Sequence, residues 1–162
     1  MSTAATLTPA DLASDGVPPR HPLLEQLVSR HGGTALDADA IDAFAGPGHT
    51  LLIFTEDPVR YKETLDLAVI APEVVRAFGG IFRVGVLFPE HARRAAARYG
   101  FARWPALVVL RDGAYVGAVD GLRNWDEYLT EVRGLLAAPA TRPPSVGITV
   151  KSAAAPAGGC SH

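Results

Sequence analysis

The chain has 162 residues, a formal net charge of −2 and 48% hydrophobic side chains, enough for one compact domain and too short for two ordinary ones. No apolar run approaches the ~18–20 residues of a membrane helix, and the first residues lack the basic start and apolar stretch of a secretory signal. No membrane insertion is therefore expected, and the expected location is the cytoplasm. The single cysteine, Cys160, excludes an internal disulfide and a cysteine-rich zinc site.

The first twenty residues are small, polar and proline-containing, so 1–20 is expected to be a disordered N-terminal segment. Pro22 suits a first helical turn, with Leu23, Leu24, Leu27 and Val28 at helical spacing and His31-Gly32-Gly33 as the stop. Thr34–Leu36 reads as a short strand, and Asp37 can cap a short helix carrying Ala40, Ile41 and Phe44. Thr50–Thr55 is a continuous apolar run of the kind buried on both faces of a sheet. A helical pattern follows from about Arg60 to Phe78, with Leu65, Ala68, Val69, Val74, Val75 and Phe78 as its apolar set. Pro72 inside it predicts a kink or a split.

Ile81–Leu87 reads as another strand, and Pro89–Tyr99 as a helix ended by Gly100. Ala106–Leu110 and Tyr115–Val119 flank Asp112-Gly113, the signature of a hairpin of antiparallel neighbours. Asn124 with Glu127 makes a capping-box start for the last helix, whose inward set is Trp125, Tyr128, Leu129, Val132 and Leu135. Beyond it, the stretch to His162 is dominated by Ala, Pro and Gly and cannot offset its ordering entropy. The organisation expected is thus a domain over 21–138 and a disordered tail over 139–162. The order α-β-α-β-α-β-α-β-β-α implies a mixed central β-sheet with helices on both faces.

Residues 21–138 carry 12 basic and 15 acidic side chains, the opposite of the bias expected of a nucleic-acid binder. Arg93, Arg94 and Arg98 read as a solvated helix face. The histidines at 21, 31, 49, 91 and 162 show no metal-ligand spacing. No phosphate loop, nucleophile elbow or other catalytic constellation is present. No metal, no cofactor and no catalytic residue is expected.

Four patterns resemble the thioredoxin fold: Tyr99–Pro105, like the segment in which a cis-proline begins a strand; Arg111-Asp112-Gly113 at the hairpin; Gly121 after the last strand; and Val69–Pro72, like the kinked active-site helix. The implied fold is a thioredoxin-like three-layer α/β/α sandwich. The departure from that fold is as informative as the match. Thioredoxins carry Cys-x-x-Cys between the first long strand and the kinked helix, whereas Glu56–Leu67 contains no cysteine. Dithiol exchange needs an attacking and a resolving thiol, so the domain reads as redox-dead.

The runs Tyr99–Leu110, Asp112–Gly117, Gly121–Tyr128 and Arg133–Leu136, with acidic Glu56-Asp57-Pro58, resemble the hydrogenase-1 expression proteins HyaE and HupG over about residues 20–138. That resemblance implies a non-catalytic chaperone for the small-subunit precursor of a membrane-bound nickel–iron hydrogenase. Such a chaperone would recognise the twin-arginine leader before export, with other maturation proteins as further partners. The alternatives are a thiol-dependent redox regulator or enzyme acting through Cys160, and a purely structural adaptor among maturation proteins.

In thioredoxin-like domains the residue before the cis-proline offers its main chain to an extended peptide. That makes Trp104 and Pro105 candidate binding residues, with Trp104 packed on the core as the plainer reading. Glu56, Asp57, Glu63 and Asp66 form an acidic segment suited to steering a basic leader, or an ordinary solvated surface with Asp57-Pro58 as a helix-start signal. Tyr61 is the second apolar candidate, equally readable as core.

Overall fold

Several helix starts in this chain have a visible physical cause. In helix α1 (Pro22–Ser29) proline sits in the first turn, and His21 Nδ1 accepts the Leu23 N–H at 3.1 Å. Strand β1 (Thr34–Ala35) and the short helix α2 (Ile41–Ala45) follow, with the Asp37 carboxylate accepting the N–H groups of Asp39 and Ala40 just before α2. Next come β2 (His49–Phe54), α3 (Glu63–Ala77), β3 (Phe82–Leu87) and α4 (Pro89–Ala96). The chain closes with β4 (Ala106–Arg111), β5 (Ala114–Asp120) and α5 (Trp125–Ala137). The capping box expected at Asn124 and Glu127 is formed in both directions, each bond 2.9 Å long.

This computed structural model describes residues 19–144. The expected terminal segments fall outside the described residues, apart from 19–20 and 139–144. The five strands pair in the order β1-β3-β2-β4-β5. β1 and β2 run parallel to β3, β4 is antiparallel to β2, and β5 is antiparallel to β4. One core lies where α1, α3 and α5 cover the sheet through Leu24, Leu27, Leu67, Val74, Tyr128 and Val132. The other lies beneath α2 and α4, with Ile41, Ala45, Phe54, Ala92, Ala95 and Tyr99. This is the three-layer thioredoxin-like α/β/α sandwich with a mixed central sheet.

Three local expectations are refined. Of the kink or split expected at Pro72, the split does not occur, since α3 runs unbroken through it. Val69 and Trp125 are 56% and 43% exposed rather than inward. Helical periodicity gives the direction of a side chain but not how far the layer beneath extends. Finally, α4 stops at Ala96, and the following turn is closed by the N–H groups of Arg98 and Tyr99 on the Ala95 and Ala96 carbonyls.

After α5 the chain does not leave the domain. Arg111 Nη2 donates to the Leu136 and Ala138 carbonyls at 2.9 and 2.7 Å. The Thr141 N–H then reaches the Tyr115 carbonyl at 2.8 Å, and the Pro144 carbonyl lies against Gly100, where a β-carbon would collide with it. Residues 138–144 thus form a strap from the foot of α5, past β5, to the segment after α4.

Candidate functional site

The register between β2 and β4 decides which residues meet. Phe54 pairs with Ala106, so Pro105 and Trp104 stand at the same sheet end as Thr55, Glu56 and Asp57. The Trp104–Pro105 bond is cis, as the resemblance implies. The approach to it is held from β5: the Ala102 and Arg103 N–H groups donate to Asp120 Oδ2 at 2.9 and 3.1 Å, and Gly121 N–H donates to the Pro105 carbonyl at 2.8 Å. The Trp104 main-chain N–H and C=O have no hydrogen-bond partner among the described residues. Its half-buried ring meets Phe101 edge-on at 5.0 Å, and Phe101 meets Phe54 at 5.0 Å. Trp104 therefore belongs to the core by its side chain and to the rim by its backbone.

The segment between β2 and α3, where a thioredoxin carries its dithiol, is tied down by hydrogen bonds. The Thr55 hydroxyl donates to the Leu87 carbonyl at 2.9 Å. Glu56 is 4% exposed, and its two oxygens take separate partners: Oε2 accepts from Arg93 Nε at 2.6 Å and Oε1 from the Asp57 N–H at 2.9 Å. The bond to Glu56 and then its charge push the Arg93 guanidinium above its ordinary value. Glu56 is a buried anchor tying this segment to α4. Asp57 Oδ1 accepts the Val59 N–H at 3.0 Å and its carbonyl accepts from Arg60 and Tyr61, so Asp57 organises the turn into α3 and stays partly open to solvent.

The other expected residues are spread over the same end. Tyr61 is half-buried in the segment between β2 and α3. Glu63 and Asp66 are exposed on the first turn of α3, and Asp66 lies towards the Tyr128 hydroxyl of α5. Burial raises the pKa of that hydroxyl, which donates to the Gly121 carbonyl at 3.4 Å.

The structure adds apolar surface to the rim that the sequence pattern does not pick out. Val59 is 84% exposed, and Leu122 and Trp125 are 39% and 43% exposed. Leu122 directly follows Gly121, which is bonded to Pro105, and Trp125 opens α5. The available signal was the capping box: it places Trp125 at the first helical position, one turn above Tyr128 and beyond the end of β5 at Asp120. A groove of about 670 Å³ adjoins this rim, walled by Pro19, His21, Leu24, Pro58, Val59 and Pro89. Among the described residues no group of His, Cys, Asp and Glu could hold a metal ion, and no helix is long and apolar enough to cross a membrane.

A mixed sheet in this strand order, with a cis-proline and a thiol-free segment before the long helix, finds its match in sequence. The family described as "Hydrogenase-1 expression protein HyaE" matches residues 23–128. The chain belongs to the HyaE family. It is 47% identical over its full length to the whole of the hydrogenase expression/formation protein HoxO of Cupriavidus necator. It is 38% identical to HoxO of Azotobacter vinelandii, over 72% of this chain and 79% of that one. A crystal structure of a putative hydrogenase expression/formation protein HupG from Rhodopseudomonas palustris shares 32% identity, covers 64% of this chain and 95% of its own, and superposes with a TM-score of 0.46. The HyaE match includes Glu56, Asp57, Trp104, Pro105, Leu122 and Trp125, so the whole rim lies inside the family's domain.

Proposed function

We propose that this chain is a non-catalytic chaperone of nickel–iron hydrogenase maturation, holding the small-subunit precursor by its twin-arginine leader in the cytoplasm before assembly and export. Membership of a family of hydrogenase expression proteins supports the maturation role. The observation that carries the rest is the rim itself. The place of a reactive dithiol is taken by a buried carboxylate locked to Arg93, while Val59, Leu122 and Trp125 stand exposed beside Trp104, whose main-chain N–H and C=O have no partner among the described residues. An extended segment laid across this rim gains main-chain hydrogen bonds at Trp104 and apolar contacts on either side. Asp57, Glu63 and Asp66 supply the sign that draws in basic residues and orients them. Exposed ion pairs contribute only about 0–1 kcal/mol each, so the apolar contacts carry the affinity.

The test is capture of the small-subunit precursor from hydrogenase-expressing cells, with and without its leader. Wild-type chain retains the leader-bearing precursor. Leu122→Asp/Trp125→Asp, with unchanged circular dichroism, loses at least about tenfold, as expected when central apolar contacts are replaced by charge. Equal capture of leader-less precursor, or equal capture by the variant, overturns the reading. An insulin-reduction assay with dithiothreitol shows no turnover above background; turnover that vanishes with Cys160→Ser would establish a thiol-dependent activity instead.

A further inference from the structure

The groove beside the rim is walled by residues with few hydrogen-bond donors to spare. Pro19, Pro58 and Pro89 line it, and proline has no N–H. The N–H groups of Leu24 and Val59, which also line it, are taken: Leu24 donates to the His21 carbonyl at 2.9 Å and Val59 to Asp57 Oδ1 at 3.0 Å. Arg20 and Glu90 in the wall neutralise each other, with Arg20 Nε donating to Glu90 Oε1 at 2.9 Å and the guanidinium 4.0 Å from the centre of the Phe88 ring. A groove of about 670 Å³ built this way accepts aliphatic and aromatic side chains. Polar ones would lose their water there without replacement.

One charge in the wall is unbalanced. Asp57 commits a carboxylate oxygen to the Val59 N–H and has no ion-pair partner among the described residues. It also belongs to the segment that stands at the Pro105 end of the sheet, so groove and rim share this carboxylate and form one surface. We propose that the groove is the subsite for the apolar stretch of the twin-arginine leader, which it receives next to the basic residues that Asp57 attracts. The inference rests on the reading of the rim as the precursor-binding face and adds which part of the leader goes where. Export leaders place a basic start before an apolar stretch of about 7–15 residues, the same order of chemistry as carboxylate and groove. A leader whose basic residues engage Asp57 therefore brings its apolar stretch to Pro58, Val59 and Pro89. Covering that stretch also keeps a sticky segment from water while the precursor waits.

Val59 is the residue to change, because at 84% exposure it is not part of the core, and Val59→Asn leaves the charge facing the leader as it was. The full chain and this variant, with matching circular dichroism, are titrated by fluorescence anisotropy with two synthetic peptides. One is the twin-arginine leader of the small subunit; in the other the apolar stretch is replaced by serine and glycine. Val59→Asn is expected to weaken the leader at least about fivefold, the effect of withdrawing one aliphatic side chain from a buried contact. The loss persists at high salt, since no charge is involved. The serine–glycine peptide binds both chains alike and more weakly than the leader. Equal binding of the leader to both chains overturns the proposal, as does a fivefold loss that is the same for both peptides. Tighter leader binding by Val59→Asn also overturns it, because the groove then holds another occupant, the chain's own first residues or a second copy. These three outcomes leave the precursor reading standing, whereas absence of leader binding to the wild-type chain removes that reading and this inference with it.

Discussion

Tyr99→Phe removes a hydroxyl from the core beneath α4 and is expected to stabilise the protein. Tyr99 is 2% exposed, and its hydroxyl has no hydrogen-bond partner among the described residues. The ring itself is well placed, edge-on to Phe54 at 5.9 Å and 73° and stacked on Tyr115 at 5.9 Å and 21°. Phenylalanine keeps both contacts. What is lost is a polar group whose water was stripped without replacement, a cost of about 1–3 kcal/mol. Allowing for the small gap left behind, the gain is about 1 kcal/mol, or about 4 °C in melting temperature for a domain of this size.

Burial holds the Tyr99 phenol above its ordinary value. Above pH ~10 the unfolded chain ionises first, so stability falls as pH rises. The variant lacks this term, and its advantage grows in alkali. Thermal unfolding of both proteins at neutral pH and at pH ~10.5 measures both effects. A melting temperature lowered by Tyr99→Phe refutes the reasoning and means the hydroxyl bonds to something.

Glu56→Lys puts a cation in a buried site built for an anion that also faces Arg93, and is expected to lower the melting temperature by more than about 10 °C, whereas Asp57→Lys at the partly open neighbour stays within about 3 °C; comparable losses in differential scanning fluorimetry would contradict the anchor role of Glu56. Burial tends to raise the Glu90 carboxyl, but the hydrogen bond and charge of Arg20 outweigh it and hold the group below its usual range. That stability is present above the unfolded value of about 4.3 and is lost as the pH falls through the folded value, so Arg20→Met flattens this part of an acid-unfolding curve; an unchanged acid limb refutes the linkage. Arg111→Met frees the Leu136 and Ala138 carbonyls and is expected to speed proteolysis after residue 138 without slowing folding of the sheet. Unchanged cleavage there would show that the strap is held by other contacts.

Much of this fold is legible from local chemistry. The Asp-Gly hairpin sits at Asp112 and Gly113, both with positive φ. The Asn124–Glu127 box starts α5 on schedule, and the apolar run 50–55 became a strand buried along almost its whole length. The residues misread are those whose environment is set by distant parts of the chain. Trp125 has the right phase to face inward, but the sheet ends at Asp120 beneath it. Glu56 reads as one acid among several because nothing near it in sequence announces Arg93, 37 positions away. Composition identifies a proline-containing stretch after α5 but not the bond from Thr141 to Tyr115, which depends on where β5 begins.

The strap also bears on solubility. At one margin of the sheet β1 contributes only two residues, too short to template another strand. At the other, β5 runs for seven residues, long enough to recruit a stranger's backbone, and Thr141 already occupies its Tyr115 carbonyl. Edges left open in this way are where folded domains begin to polymerise. A chain cut at 138 keeps nearly all of its core and loses that guard, so its failure would show as precipitation on storage rather than as a lower melting temperature.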